Sequence, residues 1–337
     1  MLVDALVLDE AIAKQSFSGE ATIFVADRRV FERCEGYIYR ALQVPMTVGA
    51  RIAIASGSKT FTALAIMRLI EEGQLLLDQP VRGILGDDLP FINDDVTIEQ
   101  LLTHTSGIGD YLDEDEDWEA SDFVLSPPVH TLRTAEAFLP MLEGYPQKFD
   151  PGEQFSYCNG AYIVLAVLLE RVTGDTFHDA VRRLVVEPAG LERTGFLPLN
   201  ELPADAAVGY VEDEGDLANT LHLPVLGNGD GGAFTTGEDL HMFWLALLDG
   251  RIVSRKTLEE MIRPRHDVPD EDMRSGMGLF LHGTHPALIL EGYDAGASFR
   301  STHITQTQTT VSILGNTSEG AWPVISAFAN AIDAEFE

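Results

Sequence analysis

The 337-residue chain carries 54 acidic against 22 basic side chains, a formal charge of −32, and 45% of it is hydrophobic. Such a composition suits a folded protein with one large core or two smaller ones and excludes collagen, coiled coil and wholesale disorder. So large an acidic excess repels phosphate backbones and anionic lipid, so with no basic patch the expected partner is a small-molecule ester, amide or short peptide, with no nucleic acid and no membrane.

In chain order, residues 3–15 are expected as an opening helix, and residues 21–39 alternate apolar and polar side chains about a turn at Asp27-Arg28-Arg29, the pattern of an antiparallel hairpin. Residues 52–55 then lead into a buried helix over 58–72, with Phe61, Ala65 and Leu69 at helical spacing and Gly73 as its stop. From 75 to about 250 the signals are mostly helical, at 98–103, 134–142, 160–173 and 237–248. After Met277 short strand-like runs return at 279–282, 287–290, 297–305 and 309–314, followed by an amphipathic helix over 323–336. Strands at both ends with helices between them predict an α+β fold in which one antiparallel sheet is closed from both termini and flanked by helices. The predicted division is a discontinuous sheet domain, 1–75 with 255–337, and a mainly helical domain, 76–254, with the active site between them.

The only lysines are Lys14, Lys59, Lys148 and Lys256. Two cysteines, Cys34 and Cys158, are too few for a disulfide framework and lack metal-ligand spacing, so free thiols are expected. The apolar run 161–169 is too short to span a bilayer and the first thirty residues lack the pattern of a secretory signal, which gives a soluble, cytoplasmic expectation. Asp113, Asp115 and Asp117 alternate within the acidic run 110–122. That run lacks the central Gly and closing Glu of a calcium loop and reads as a solvated loop. His282 and His285 have no third ligand nearby and read as hydrogen-bonded or surface residues.

The chemistry is concentrated in Ala53-Ile54-Ala55-Ser56-Gly57-Ser58-Lys59-Thr60. A strand-like run delivers Ser56 to a helix start, and Lys59 follows one turn later on the same face. The free N–H groups and positive dipole end of a helix favour the negative charge that a serine oxygen and a tetrahedral oxyanion develop in acyl transfer. The same surroundings disfavour the ammonium of a buried lysine and leave a neutral amine as a base. A bland reading makes Ser56 a cap and Lys59 a snorkelling cation. Downstream, Tyr157-Cys158-Asn159 follows a turn and precedes a helix. Its phenol can relay a proton and its carboxamide can orient a lysine or a substrate carbonyl, unless Asn159 is simply the cap of that helix. No Gly-x-Ser-x-Gly elbow is present, and His104 reads as a structural histidine bonded to backbone.

With these elements the chain resembles the serine β-lactamase and penicillin-binding-protein superfamily, in the class C β-lactamase-like branch that also holds esterases, D-amino-acid peptidases and carboxypeptidases. The resemblance rests on Ser56-Gly57-Ser58-Lys59 and Tyr157-Cys158-Asn159, with the flanking phrases Leu101-Leu102-Thr103-His104-Thr105-Ser106-Gly107, Gly152-Glu153, Glu170-Arg171-Val172-Thr173-Gly174 and Gly231-Gly232-Ala233-Phe234-Thr235-Thr236. It departs at the family's Lys/His-x-Gly triplet, which falls on Leu290-Glu291-Gly292, so the cation that helps hold a substrate carboxylate is missing. The resemblance implies a serine hydrolase, most simply an esterase, with Ser56, Lys59 and Tyr157 catalytic and Asn159, Gly292 and Tyr293 on the substrate side. The backbone N–H of Tyr293 would join that of Ser56 as an oxyanion donor. No metal or organic cofactor is expected. A β-lactamase or D-stereospecific peptidase on the same scaffold is the alternative, and a non-catalytic penicillin- or peptide-binding homologue the remoter one.

Overall fold

The structure is a computed structural model that describes residues 5–114, 124–268 and 271–336. The chain opens with α1 (Ala5–Lys14), a hairpin of β1 (Gly19–Val25) and β2 (Arg28–Glu35), the short pair β3 (Tyr37–Tyr39) and β4 (Val44–Pro45), and β5 (Ile52–Ala53). A 3-10 turn over Ala55–Ser58 enters α2 (Lys59–Glu71). Next come α3 (Arg82–Leu85), α4 (Ile98–Leu102), α5 (Leu139–Leu142), α6 (Asn159–Thr173), α7 (Phe177–Val181) and α8 (Glu187–Ala189), then β6 (Gly195–Phe196), β7 (Ala233–Thr235) and α9 (Gly237–Leu248). The last part holds α10 (Arg255–Met261), β8 (His266–Asp267), β9 (Met273–Ser275), β10 (Phe280–His282), β11 (Ala287–Asp294), β12 (Ala297–Ile304), β13 (Thr309–Gly315) and α11 (Trp322–Phe336).

Strands from both ends form one eight-stranded antiparallel sheet in the order β2-β1-β13-β12-β11-β10-β9-β8. Alternation along each strand assigns its two faces. Ala21, Ile23, Val311 and Ile313 pack with Leu8 and Ile12 of α1 and Val324 and Phe328 of α11. Phe299 and Leu314 point the other way, into the main core built on α2 and α6. These two helices are buried all round over most of their length, which is how a helix behaves in the middle of a core rather than at its surface. Gly73, at φ 71°, ends the first of them in the left-handed conformation.

The α+β architecture agrees with the sequence reading, and several boundaries do not. The hairpin turns at Ala26-Asp27 rather than Asp27-Arg28-Arg29, because Ala26 takes φ 47° and Arg28 already pairs with Val25. The stretch 75–250 is less uniformly helical than expected: β7 lies between β5 and β6 in a small three-stranded sheet. Strands of two or three residues are too short to leave an alternation in the sequence. A further helical run over 177–189, with a π-wound middle at Arg182–Val186, also went unread. Among the described residues, no helix is long and apolar enough to cross a membrane.

Candidate active site

Ser56 sits on a turn held from three sides. Ile54 donates its N–H to the Ala233 carbonyl at 2.9 Å, tying the turn to β7. The Ser58 hydroxyl, fully buried, donates to the Ala55 carbonyl at 2.6 Å and accepts the Ala233 N–H at 2.9 Å. Ala55 is thereby kept at φ 43°, a left-handed conformation that costs a non-glycine residue on the order of 1–2 kcal/mol. On the third side β11 presses its backbone against the turn. A Cβ at Gly292 would come within 2.3 Å of the Ile54 carbonyl oxygen and 2.7 Å of the Ser56 nitrogen, so only glycine permits the contact. Gly57 has the same necessity toward β12, where a Cβ would meet the Phe299 ring at 2.5 Å.

One turn into the helix, Lys59 is 4% exposed. Its Nζ lies 2.8 Å from Ser56 Oγ, 2.8 Å from Asn159 Oδ1 and 2.7 Å from the Asp230 carbonyl oxygen. Two of these partners can only accept a hydrogen bond, whereas the serine hydroxyl can also donate. A neutral amine, with two hydrogens and one lone pair, therefore satisfies all three. Burial pushes the Lys59 amine below its ordinary value, while the charges of Asp230, Glu114, Asp110 and Asp294 pull it back up. The Asn159 amide donates to the Leu112 carbonyl at 3.2 Å and to Glu114 Oε1 at 3.0 Å, which turns its oxygen toward the lysine. Tyr157 lines one pocket with Ser56 and Lys59, and its ring centroid lies 4.9 Å from Lys59 Nζ. Burial first, and nearby Glu114 next, push the phenol well above its ordinary value, so it holds its proton. Ser56, Lys59, Tyr157 and Asn159 thus converge, although Asn159 is the first residue of α6 rather than its cap.

The cap is supplied from elsewhere. Asp110 accepts the N–H groups of Asn159 and Gly160 at 2.5 and 2.9 Å, and burial lifts its carboxyl to about 6. His104 accepts the Cys158 N–H at Nδ1 over 3.0 Å and stacks on Tyr157 at 4.4 Å between centroids. Burial, and then the Lys59 charge, lower it to about 3, so the ring is neutral and serves as a support, as the sequence suggested.

On the opposite wall Leu290 is buried beside Lys59 and Tyr157, and Glu291 is engaged by Arg300 of β12 in an ion pair. Arg300 also approaches Glu271 at 3.7 Å. Tyr293 is half-buried and lines the cleft on both sides of Ser56. The sequence reading missed Ser58, Asp110, Asp230 and Asp294. The local signal available was the glycine-rich run Asn228-Gly229-Asp230-Gly231-Gly232, whose backbone lies against the lysine. Asp115 and Asp117 of the acidic run fall outside the described residues, while Asp113 pairs with Lys148 at 2.8 Å. His282 accepts the N–H groups of Thr284 and His285 at 3.3 Å. Among the described residues no group of three or more His, Cys, Asp or Glu side chains is placed to hold a metal ion.

Comparison with known proteins agrees with this architecture. The family model described as Beta-lactamase matches residues 6–335. A penicillin-binding protein from Bacillus halodurans superposes with a TM-score of 0.89 at 34% identity, over 96% of this chain and 99% of that one. Penicillin-binding protein 4* of Bacillus subtilis (strain 168) is 28% identical over 287 residues, covering 80% of this chain and 61% of that protein. Esterase EstB of Burkholderia gladioli is 31% identical over 220 residues, covering 60% of this chain and 53% of that protein. The chain therefore spans between about half and two thirds of the length of these curated relatives.

Proposed function

The chain belongs to the β-lactamase family, and we propose that it is a carboxylesterase-like serine hydrolase that cleaves ester or amide bonds through an acyl-enzyme. The observation that carries this reading is the Lys59 amine, 2.8 Å from Ser56 Oγ and otherwise bonded to pure acceptors. In acylation Ser56 Oγ attacks the carbonyl carbon and its proton passes to Lys59. The oxyanion is stabilised by the backbone N–H groups of Ser56 and Tyr293, brought together by the close approach at Gly292. As the tetrahedral intermediate collapses, Tyr157 gives its proton to the departing oxygen or nitrogen and recovers one from Lys59. Water then attacks the acyl-enzyme, losing its proton to the same pair, and Ser56 leaves with a proton restored. The opposite displacements of the two groups, amine down and phenol up, support Lys59 as the starting base and Tyr157 as the acid.

The organisation we infer around this cleft is a sheet part, 1–75 with 255–337, facing a mainly helical part, 76–254. Leu290 in place of a cation, together with the relative named an esterase, favours esters over anionic β-lactams. The test is a panel on pure protein: short-chain p-nitrophenyl esters, nitrocefin, and labelling by a fluorophosphonate probe. Ester turnover and labelling, both lost in Ser56→Ala, are expected. Undiminished ester turnover in Ser56→Ala would overturn the assignment, and nitrocefin hydrolysed far faster than the esters would make the protein a β-lactamase.

A further inference from the structure

We propose that Tyr111 is a positioning residue for the base: its phenol fixes the Asp230 side chain, and with it the Asp230 carbonyl that aims the Lys59 amine at Ser56. This rests on the serine hydrolase reading and goes beyond it by assigning what orients the lysine.

A neutral amine has two hydrogens and one lone pair, and the acceptors of its hydrogens decide where the lone pair points. Asn159 Oδ1 at 2.8 Å and the Asp230 carbonyl oxygen at 2.7 Å take one hydrogen each, which leaves the lone pair of Lys59 for Ser56 Oγ. With either acceptor displaced, the amine turns about its Cε–Nζ bond and the lone pair swings off the serine. Both acceptors are anchored from one short segment, 110–114. Leu112 and Glu114 hold the Asn159 amide, and Tyr111 donates its phenol hydrogen to Asp230 Oδ2. Asp110, while capping α6, also accepts the Leu112 N–H at 3.4 Å, which fixes the backbone on either side of the phenol.

The Asp230 carbonyl needs such an anchor. It sits in the turn Asn228-Gly229-Asp230-Gly231, closed by the Asn228 N–H on the Gly231 carbonyl at 2.9 Å and by the reverse bond at 3.3 Å. With glycine on both sides, the backbone at Asp230 has little conformational preference of its own. Gly229 is pinned by the Thr62 hydroxyl on its carbonyl at 2.7 Å, and Asp230 by Tyr111. Burial first, and the Asp230 charge next, hold the phenol well above its ordinary value, so it stays the donor. The Asp230 carboxylate also acts on the amine directly, as the first of the charges that pull Lys59 up, ahead of Glu114, Asp110 and Asp294. The other titratable groups facing the amine, His104, Tyr157 and Tyr162, are uncharged at neutral pH. Tyr111 and Asp230 line the pocket beside Ser56 with Asn159, Asn228 and Asp294, so direct contact with substrate is the competing role for the phenol.

The experiment follows p-nitrophenyl butyrate turnover against pH in the full chain for Tyr111→Phe, Asp230→Ala, the two combined, and Asp230→Asn. Tyr111→Phe keeps the ring and removes only the hydroxyl, and it is expected to lower kcat about tenfold or more with KM within about threefold. Because the phenol acts through Asp230, Asp230→Ala should lose at least as much, and adding Tyr111→Phe to it should cost less than about twofold further. Asp230→Asn still offers the phenol an oxygen but carries no charge, so it should recover about threefold or more over Asp230→Ala, with the acid limb of kcat/KM moved to lower pH. That pair of variants reads the tether from its other end if Tyr111→Phe does not fold. A raised KM at unchanged kcat in Tyr111→Phe would make the phenol a substrate contact, and full multiplication of the losses in the double variant would make it independent of Asp230. Either result overturns the proposal, as does an Asp230→Asn variant no better than Asp230→Ala. A readout without turnover comes from the chain's having only four lysines. After 13C-lysine labelling, the Lys59 Cε signal, assigned by its loss in Lys59→Ala, should move in Tyr111→Phe while those of Lys14 and Lys256 stay, and an unmoved Lys59 signal would overturn the tether. Absence of ester turnover and of fluorophosphonate labelling in the unaltered protein would instead sink the hydrolase reading, and the Lys59 signal would still decide this proposal.

Discussion

Two of the buried polar clusters among the described residues differ in what surrounds them. Beneath α9, His241 and His303 each place Nδ1 against Thr310 Oγ1, at 3.1 and 2.9 Å, Trp244 donates to Ser301 at 3.0 Å, and Ser301 and Ser312 share a 2.8 Å contact. Aromatic stacking closes the assembly, with Phe24 on His241 and Trp244 on His303, and none of these residues lines the cavities around Ser56. The Lys59 cluster is just as buried at its centre but opens on two sides to the cleft, and it includes Asn228, whose side chain has no hydrogen-bond partner among the described residues. Burial and polarity alone therefore do not mark a functional site. What distinguishes the Lys59 cluster is a serine hydroxyl and a lysine amine within hydrogen-bond reach of each other, beside space for a ligand.

The histidines of the first cluster and the carboxyls of the second answer pH with opposite signs. Burial lowers His303 to about 4, and His241 is lowered as well, so their neutral forms stabilise the fold above about 6.5 and that contribution is lost as the solution is acidified. Asp294 and Asp110 are raised, to about 7 and about 6. The folded protein thus holds extra protons on them, and their contribution, complete below about 4, is lost as pH rises through those values.

The largest effect that can break this contrast is on turnover. Lys59→Ala is expected to lower kcat/KM for a p-nitrophenyl ester on the order of a thousandfold or more while the protein remains folded by circular dichroism. A loss below tenfold would leave the Lys59 cluster no more catalytic than the histidine one. Next, the unfolding free energy of the unaltered protein relative to Asp294→Asn should fall by roughly 2 kcal/mol between pH 5 and pH 8, the sign set by a raised carboxyl. Thermal or urea unfolding at several pH values reads the difference, and a flat difference would remove Asp294 from the titrating groups. Smallest is Thr310→Val, which strands two histidine nitrogens and should cost about 1–2 kcal/mol of stability. Ester kcat/KM should stay within twofold, and a tenfold drop in a folded variant would show the two clusters to be coupled.

The site was legible where the chemistry is local. Ser56 and Lys59 are three residues apart at a helix start, and Tyr157 and Asn159 two apart before another, so spacing and residue type together exposed both pairs. Leu290-Glu291-Gly292 was found by its place in the chain, and the physical reason for Gly292 became visible only with the turn packed 2.3 Å from its absent Cβ. Ser58 was read merely as part of a motif, although it fixes the strained Ala55 through two hydrogen bonds. Asp230 reaches Lys59 across 171 positions of sequence, a separation over which no periodicity or motif connects two residues.

Hydrophobic periodicity and turn chemistry act over a few residues, so the primary structure alone determined the α+β class, the buried helices, the hairpin and the four convergent side chains. Which charges gather around the amine, and hence whether it carries a proton, depends on through-space fields and desolvation between segments a hundred or more positions apart. The same holds for the three-stranded sheet that seats the Ser56 turn and for the carboxylates and Asn228 of the pocket. Those were decided only when the chain closed on itself.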